Sequence, residues 1–407
     1  MKNRVVITGM GGVSSIGMSV PEIYNSLREG KSGIGQLEFP DVSRLKVKTG
    51  GQIKNFDPSY YFELKQIGRM DRFSQFALLA ANEAITTSGL KNCKQDWSEN
   101  AGIILGSSIG GIETIDYSYK QVFEEGHNRL HPLTIPKIMN NSATSLISIE
   151  YQIQGPSFTV SSACSSANHA MGLAYETIKS RKCEVMITGG SESFLSFGGI
   201  KPWESLRVLS QSKCRPFSKG RDGLVHGEGA GIFVFESLES AKKRRAKIIA
   251  EVVGFSMSSD ASDLIKPNNI GPQKALRGVL KDGMINKTEV SYINAHGTGT
   301  ILNDKVECEA IKTVFGSHSR ALKVSSTKAM HGHLIGATAA IELLACTLAV
   351  NEKVIPPTIN YIGLDPACDL DVVPNYSQEL KSVDVVLNNS FAFGGMNAVL
   401  ALRKYHD

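Results

Sequence analysis

An α/β fold assembled from two similar halves is what this sequence predicts, and three observations carry the prediction. Short apolar strands alternate with helical segments along the chain, the pattern of a mostly parallel sheet covered by helices. At 407 residues the chain is long enough for two core-forming units or for one large two- or three-layered α/β body, since single hydrophobic cores stop growing near ~250–300 residues. A faint internal repeat at an offset of 164 positions sets Val160-Ser161-Ser162, His169 and Gly172 against Val324-Ser325-Ser326, His333 and Gly336.

The elements follow in order. Arg4-Val5-Val6-Ile7-Thr8-Gly9 reads as a short strand closed by glycine, and Pro21 to Gly30 as a helix with proline in its first turn and glycine after its last. Gly9-Met10-Gly11-Gly12 invites a dinucleotide-binding reading, but the third glycine of that fingerprint falls on Ser14 and the spacing fails. A helix is predicted across Asp71 to Ser88, then strands at Gly102 to Leu105, Ser157 to Val160 and Glu184 to Thr188. The alternation resumes after Arg221, with strands around Gly231 to Phe235, Lys247 to Gly254, Ser291 to Asn294 and Ala321 to Val324. No Pro/Gly/Ser-rich linker divides the chain, and the predicted halves are residues 1–245 and 246–407. If a pseudo-twofold axis relates them, the turn holding Cys164 meets the Lys328/His333 segment from the opposite side.

Composition excludes several classes. With 42% apolar and 20% charged residues the chain reads as a globular enzyme. Its seven cysteines form no CxxC pair and no zinc-ligand spacing, and it opens on a charged strand in place of a signal sequence, so the expected home is the reducing cytoplasm. A net charge of +5 falls short of a nucleic-acid-binding stripe, and Lys242-Lys243-Arg244-Arg245 with Lys247 reads as a solvated helix face. The most apolar segment, Ala337 to Val350, is interrupted by Glu342 and is shorter than the ~20 residues a bilayer needs, so no membrane span is expected.

The chemistry concentrates in three segments. In Val160-Ser161-Ser162-Ala163-Cys164-Ser165-Ser166-Ala167 a strand runs into a helix and puts Cys164 at the helix N-terminus, where unpaired N–H groups are expected to lower its pKa from ~8.5 toward neutrality. A buried, inert cysteine is the alternative for that residue alone. Tyr292-Ile293-Asn294-Ala295-His296-Gly297-Thr298-Gly299-Thr300 is a strand ending in a histidine inside a glycine–threonine loop, which lines a site and not a core. The third segment is Ser326-Thr327-Lys328-Ala329-Met330-His331-Gly332-His333, ahead of the small-residue helix that contains Glu342. Metal binding by His331 and His333 is disfavoured, because the one-residue spacer lacks the i, i+4 spacing of helical zinc pairs and no third ligand is evident.

These segments carry a resemblance. The chain resembles the β-ketoacyl carrier-protein synthases of the elongating type II class, with their thiolase-like fold, over nearly its full length. The match runs through Val5-Val6-Ile7-Thr8-Gly9, Arg69-Met70-Asp71-Arg72, Ala163-Cys164-Ser165-Ser166, Arg215-Pro216-Phe217, Arg221-Asp222-Gly223, Gly227-Glu228-Gly229-Ala230-Gly231, both histidine segments and Asn389-Ser390-Phe391-Ala392-Phe393-Gly394-Gly395. It implies two pseudo-twofold-related halves in a five-layered α-β-α-β-α arrangement, the nucleophilic cysteine in the first and both histidines in the second. It further implies a ping-pong decarboxylative Claisen condensation. Cys164 takes an acyl chain from an acyl carrier protein, a malonyl-carrier protein loses carbon dioxide, and the carbanion attacks the acyl-cysteine.

By family position, His296 and His333 would hydrogen-bond the malonyl thioester carbonyl, and the N–H groups of Cys164 and Phe393 would form the oxyanion hole. Lys328 would tune the histidines, Glu342 would hold the Lys328 loop, Thr298 and Thr300 would touch the phosphopantetheine arm, and Ile109 would wall the acyl pocket. No resident cofactor or metal is expected, since phosphopantetheine arrives on the carrier protein, although Asn294, Glu307 and Glu342 match positions where relatives hold a structural cation. The expected partners are the carrier protein, met near Lys65, Arg69, Arg129 and Arg207, and a second subunit in a homodimer or a heterodimer. Ala392, Met396, the short Ser210 to Arg215 segment and His331 depart from the usual pattern, which bears on substrate and not on chemistry. Two alternatives remain: a malonyl decarboxylase or acyltransferase without net condensation, and a carrier-protein-binding scaffold, against which the intact Cys164, His296 and His333 argue.

Overall fold

The computed structural model describes residues 3–93 and 97–406. Ten strands make one hydrogen-bonded sheet: β1 (Val5–Ser14), β2 (Ala101–Gly106), β3 (Ser157–Val160), β4 (Val185–Glu192), β5 (Gly229–Ser237), β6 (Ala250–Ser259), β7 (Val290–Asn294), β8 (Lys323–Ser325), β9 (Val385–Ala392) and β10 (Met396–Arg403). Their order is β8-β7-β9-β10-β6-β1-β5-β4-β2-β3. Read outward from its centre, each side gives first, fifth, fourth, second and third strand of its own set, so the two sets share one topology. They join edge to edge where Val5–Ile7 pairs antiparallel with Ala250–Val252.

The sheet is mixed, which corrects the expectation of a mostly parallel one. In each set the second strand pairs in parallel with the third and the fourth, while the fifth returns antiparallel between the fourth and the first. Both faces of the sheet are covered, so its strands are continuous apolar runs, which read alike in either direction.

Helices complete five layers. They are α1 (Val20–Glu29), α2 (Arg72–Thr87), α3 (Ser142–Tyr151), α4 (Ser166–Lys179), α5 (Ile270–Asp282), α6 (Ile301–Phe315) and α7 (Thr338–Glu352). Residues of α2 and α3 pack with β2 and β5 in one outer core, and those of α5 and α6 with β7 and β9 in the other. Between the two five-strand sets of the sheet, α4 and α7 share a central core with Phe233, Phe255, Leu400 and Leu402. This is the α-β-α-β-α arrangement that the resemblance implied. With the turn before it, α7 is long and apolar enough to cross a membrane, yet 89% of that stretch is buried inside the fold. It is the central core helix.

Two glycines explain why β1 continues past Gly9. A Cβ on Gly9 would sit 2.1 Å from the Ala84 carbonyl oxygen and one on Gly11 2.0 Å from that of Ala80, so the run is a strand against which α2 packs at backbone distance. The internal repeat holds for the strands, since β3 and β8 are the third strands of their sets. It fails beyond them: His169 lies inside α4, whereas His333 precedes α7. The halves are also tied through α4, where Asn168 Nδ2 donates to the Asn388 and Ala398 carbonyls at 2.9 and 3.3 Å.

Candidate active site

After β3 the chain reverses through Ala163, held at φ 50°, a left-handed conformation unusual for a residue with a Cβ. The Ser108 and Ser166 hydroxyls each donate to the Ala163 carbonyl at 2.7 Å and fix the turn. Cys164 then sits just ahead of α4, buried, with the backbone N–H groups of Cys164 and Phe393 addressing its sulfur. Burial pushes its thiol up to about 11, against the opposing pull of Lys328 and of those two N–H groups. The expectation of a lowered pKa is therefore corrected: the helix end favours the thiolate, but a sulfur in an apolar wall of Phe194, Ile335 and Ala392 loses more by desolvation.

His296 follows β7 on a loop pinned from α6. The Glu307 carboxylate accepts from the N–H groups of His296 and Gly297 at 2.9 and 2.7 Å and from Asn389 Nδ2 at 3.1 Å. His333 is fixed by its backbone, donating to the Val225 carbonyl at 2.7 Å and accepting from Gly227 N–H at 2.9 Å. Its Nδ1 lies 2.7 Å from the Thr338 hydroxyl, and its buried Nε2 has no protein partner. The two imidazoles stand edge to face with centroids 5.5 Å apart. The Cys164 sulfur and one nitrogen of each ring lie within 4.8 Å of one another.

Lys328 and Glu342 form an ion pair behind this trio, both fully buried. Burial first, and the Lys328 charge second, hold His296 and His333 well below the usual imidazole range, so both rings are neutral at pH 7. Burial pushes the Glu342 carboxyl up to about 7, with Lys328 opposing it. The Cys-His-His spacing would also suit a soft metal, but the group includes no carboxylate to offset the Lys328 ammonium behind it. His331 takes no part: its Nδ1 is 2.7 Å from the Gly332 carbonyl and its Nε2 3.0 Å from the Thr327 hydroxyl.

Cys164, His296, His333, Thr298, Thr300 and Phe393 all line one cavity of about 240 Å³. The threonine hydroxyls lie 2.9 Å apart on its outer part, and Arg207 also lines it. Ile109 packs in the apolar cluster beside Cys164. Lys65, Arg69 and Arg129 are exposed and lie outside the lining. Around Glu307, the buried oxygens Asn294 Oδ1, Glu342 Oε2 and Asn389 Oδ1 lack partners. Orphaned oxygens next to carboxylates fit a hard cation, so these residues could hold one in a structural role.

Sequence reasoning missed four residues. Glu192, at the end of β4, accepts from the N–H groups of Ser108, Ile109, Gly110 and Gly336, and so holds the Ile109 loop against the His333 segment. The polar run Ser191-Glu192-Ser193 ending an apolar strand was its signal. Thr338, Trp203 and His226 carried none, because only the tertiary fold sets them beside His333 and Phe393.

A two-sheet fold with a buried cysteine and two neutral histidines at the junction of its halves defines a condensing-enzyme architecture. The family profiles agree: "Beta-ketoacyl synthase, N-terminal domain" matches residues 2–241 and "Beta-ketoacyl synthase, C-terminal domain" residues 249–362. The chain belongs to the β-ketoacyl synthase family. Nodulation protein E of Rhizobium sp. (strain N33) is 46% identical over 99% of this chain and 100% of its own. The 3-oxoacyl-[acyl-carrier-protein] synthase 2 of Staphylococcus aureus (strain COL) is 39% identical over 99% and 98%. Among solved structures, the ishigamide ketosynthase/chain length factor superposes with a TM-score of 0.95 at 36% identity, covering both chains completely. A type II polyketide ketosynthase bound to the hexaketide, in complex with its acyl-carrier protein, gives 0.89 at 29%, again over both whole chains.

Proposed function

We propose that this enzyme extends an acyl chain by decarboxylative Claisen condensation with a malonyl group, both delivered as thioesters of an acyl carrier protein. The supporting observation is the convergence of Cys164 from one half with His296 and His333 from the other in a single cavity. In the first half-reaction the Cys164 thiol attacks the acyl thioester, the N–H groups of Cys164 and Phe393 receive the developing oxyanion, and the carrier thiol leaves with the proton. In the second, the malonyl thioester carbonyl accepts hydrogen bonds from the neutral imidazoles. The unpartnered His333 Nε2 points to that role. Carbon dioxide departs, the enolate carbon attacks the acyl-cysteine, and the carbon–sulfur bond breaks to release a β-ketoacyl thioester and the Cys164 thiolate, which takes one proton from solvent to restore the thiol.

In this reading Lys328 adds to burial in keeping both rings neutral, Glu342 compensates Lys328, Thr298 and Thr300 guide the phosphopantetheine arm, and Ile109 bounds the acyl chain. No resident cofactor takes part. Arg207 at the cavity and the exposed Lys65, Arg69 and Arg129 meet the acidic carrier protein. The edge strand β3, with Phe158 exposed, offers open hydrogen-bonding groups and apolar area to a second subunit, the same chain or a related one. Seven free cysteines suit a reducing, cytoplasmic setting, and the pathway is fatty-acid or related polyketide or polyene biosynthesis.

Intact-mass analysis with acyl-carrier proteins, followed by malonyl-carrier protein, tests the reading. An acyl adduct absent from Cys164→Ala and consumed to give a chain longer by one malonyl-derived unit supports it. An adduct that forms but is never extended favours the acyltransferase alternative, and no adduct with any donor favours a scaffold.

A further inference from the structure

Beyond the cysteine lies a polar group that a plain hydrocarbon chain does not explain. His226 is 2% exposed, and neither ring nitrogen has a hydrogen-bond partner. Burial alone drives its pKa down to about 3, so the ring is neutral, with one N–H donor and one bare acceptor nitrogen. It is wedged edge to face between Phe194, 4.7 Å away, and Trp203, 4.8 Å away. Both rings belong to the apolar cluster around Cys164 that also holds Ile109 and Ile335. Trp203 in turn stacks on Phe393, 6.0 Å between centroids, and its side chain lines the reaction cavity.

The backbone places residue 226 directly opposite His333, through a parallel bridge whose flanking bonds run from His333 N–H to Val225 and from Gly227 N–H to His333. The imidazole thus lies behind Trp203, which separates it from the reaction cavity, and a turn of the Trp203 ring would open its nitrogens to an acyl chain on Cys164. A purely structural histidine at this depth pairs at least one nitrogen, because an unpaired buried polar atom is costly. A leucine would fill the same space without that cost.

Resting on the condensing-enzyme reading, we propose that His226 is a specificity-determining residue that hydrogen-bonds an oxygen carried by the acyl chain, so that the enzyme extends oxygenated (hydroxy- or oxo-) acyl groups in preference to saturated ones. The donor nitrogen pairs with a carbonyl or hydroxyl oxygen on the chain, and a hydroxyl can also donate to the acceptor nitrogen. A saturated chain leaves both unpaired and is disfavoured.

The test is the rate of Cys164 acylation, followed by intact mass, with octanoyl, β-hydroxyoctanoyl and δ-oxooctanoyl thioesters of acyl carrier protein, in wild type, His226→Leu and His226→Gln. The expected wild-type result is faster acylation by at least one oxygenated donor, by roughly five- to hundredfold, the range that one satisfied buried polar group commands. His226→Leu should reverse that ratio by speeding octanoyl transfer, and His226→Gln, which keeps a donor and an acceptor, should retain part of it. Equal rates for all donors in wild type, or a preference that His226→Leu leaves intact, would overturn the proposal while leaving the condensing reaction standing. If no donor acylates Cys164, the condensing reading itself fails, and this inference with it.

Discussion

Removing one partner of the Lys328–Glu342 pair should destabilise the protein by an amount that depends on which partner is removed and on pH. Both side chains are fully buried, so a survivor is left without its direct partner and away from water, with the buried Glu307 carboxylate as the next charge felt by either. The ceiling on its cost is that of neutralising it. Deprotonating a lysine with an ordinary pKa of ~10.4 at pH 7 costs about 4.6 kcal/mol, and protonating a glutamate of ~4.3 costs about 3.7 kcal/mol. Glu342→Leu should therefore approach 3–5 kcal/mol, as broken buried pairs do, and Lys328→Met should cost less, by about 1 kcal/mol.

The pH slopes should have opposite signs. In Glu342→Leu the unfolded state binds a proton that the folded state has shed, so stability rises with pH, by up to ~1.4 kcal/mol per unit. In Lys328→Met the folded state holds the extra proton on Glu342, so stability falls with pH at up to the same slope. Lys328→Met/Glu342→Leu, with neither member of the pair left, should recover most of the stability. Chemical denaturation between pH 6 and 8 measures all three. A Glu342→Leu cost below about 1 kcal/mol, or slopes of the same sign, would refute the claim that a desolvated ion pair stands behind the histidines.

The remaining predictions separate the chemical roles. Cys164→Ala should abolish the acyl adduct while still decarboxylating malonyl thioesters, since the histidine pair is intact, and carbon dioxide release measures that. His333→Ala should form the adduct at near wild-type rate yet lose decarboxylation by about 10²–10³-fold, the scale of one lost transition-state donor; equal loss of both activities would contradict the division. With a thiol pushed up to about 11, iodoacetamide alkylation of Cys164 should accelerate about tenfold per unit from pH 7 to 9, and a plateau below pH 8 would show that the thiolate is better stabilised than the surroundings indicate. Ile109→Trp should shorten the longest acyl chain accepted, read as adduct mass across donors of graded length.

Much of this was legible in the sequence because it is carried by local pattern. A strand running into Ala163-Cys164-Ser165-Ser166 and one ending in His296-Gly297-Thr298 announce turns with reactive side chains, and the third-strand repeat of Val160 and Val324 marked the duplication. What the pattern could not convey depends on burial and direction. The Cys164 pKa moved opposite to expectation because a helix end is a local property, whereas desolvation by Phe194 and Ile335 comes from residues far along the chain. The antiparallel return of β5 and β10 was hidden by apolar runs without polarity. The glycines of β1 looked like a loop and are a helix-packing face. Thr338 and His226 are ordinary until the fold sets one against the His333 ring and the other across from its backbone.

The duplication also explains how a strongly desolvated site remains ordered. Each half supplies one wall, so the polar groups of the chemistry sit on segments braced from across the junction. Glu192 of the first half holds Gly336 of the second, and Asn168 on the cysteine helix holds the carbonyls of Asn388 and Ala398. Glu307 braces the His296 loop from within the second half. These bonds make the separation between Cys164 and the two histidines a property of how the halves dock, not of any one loop. A single-core fold could bury a cysteine or a histidine pair equally well. It would lack the second rigid half against which a 4.8 Å constellation of three neutral, buried groups can be kept open for a substrate without collapsing.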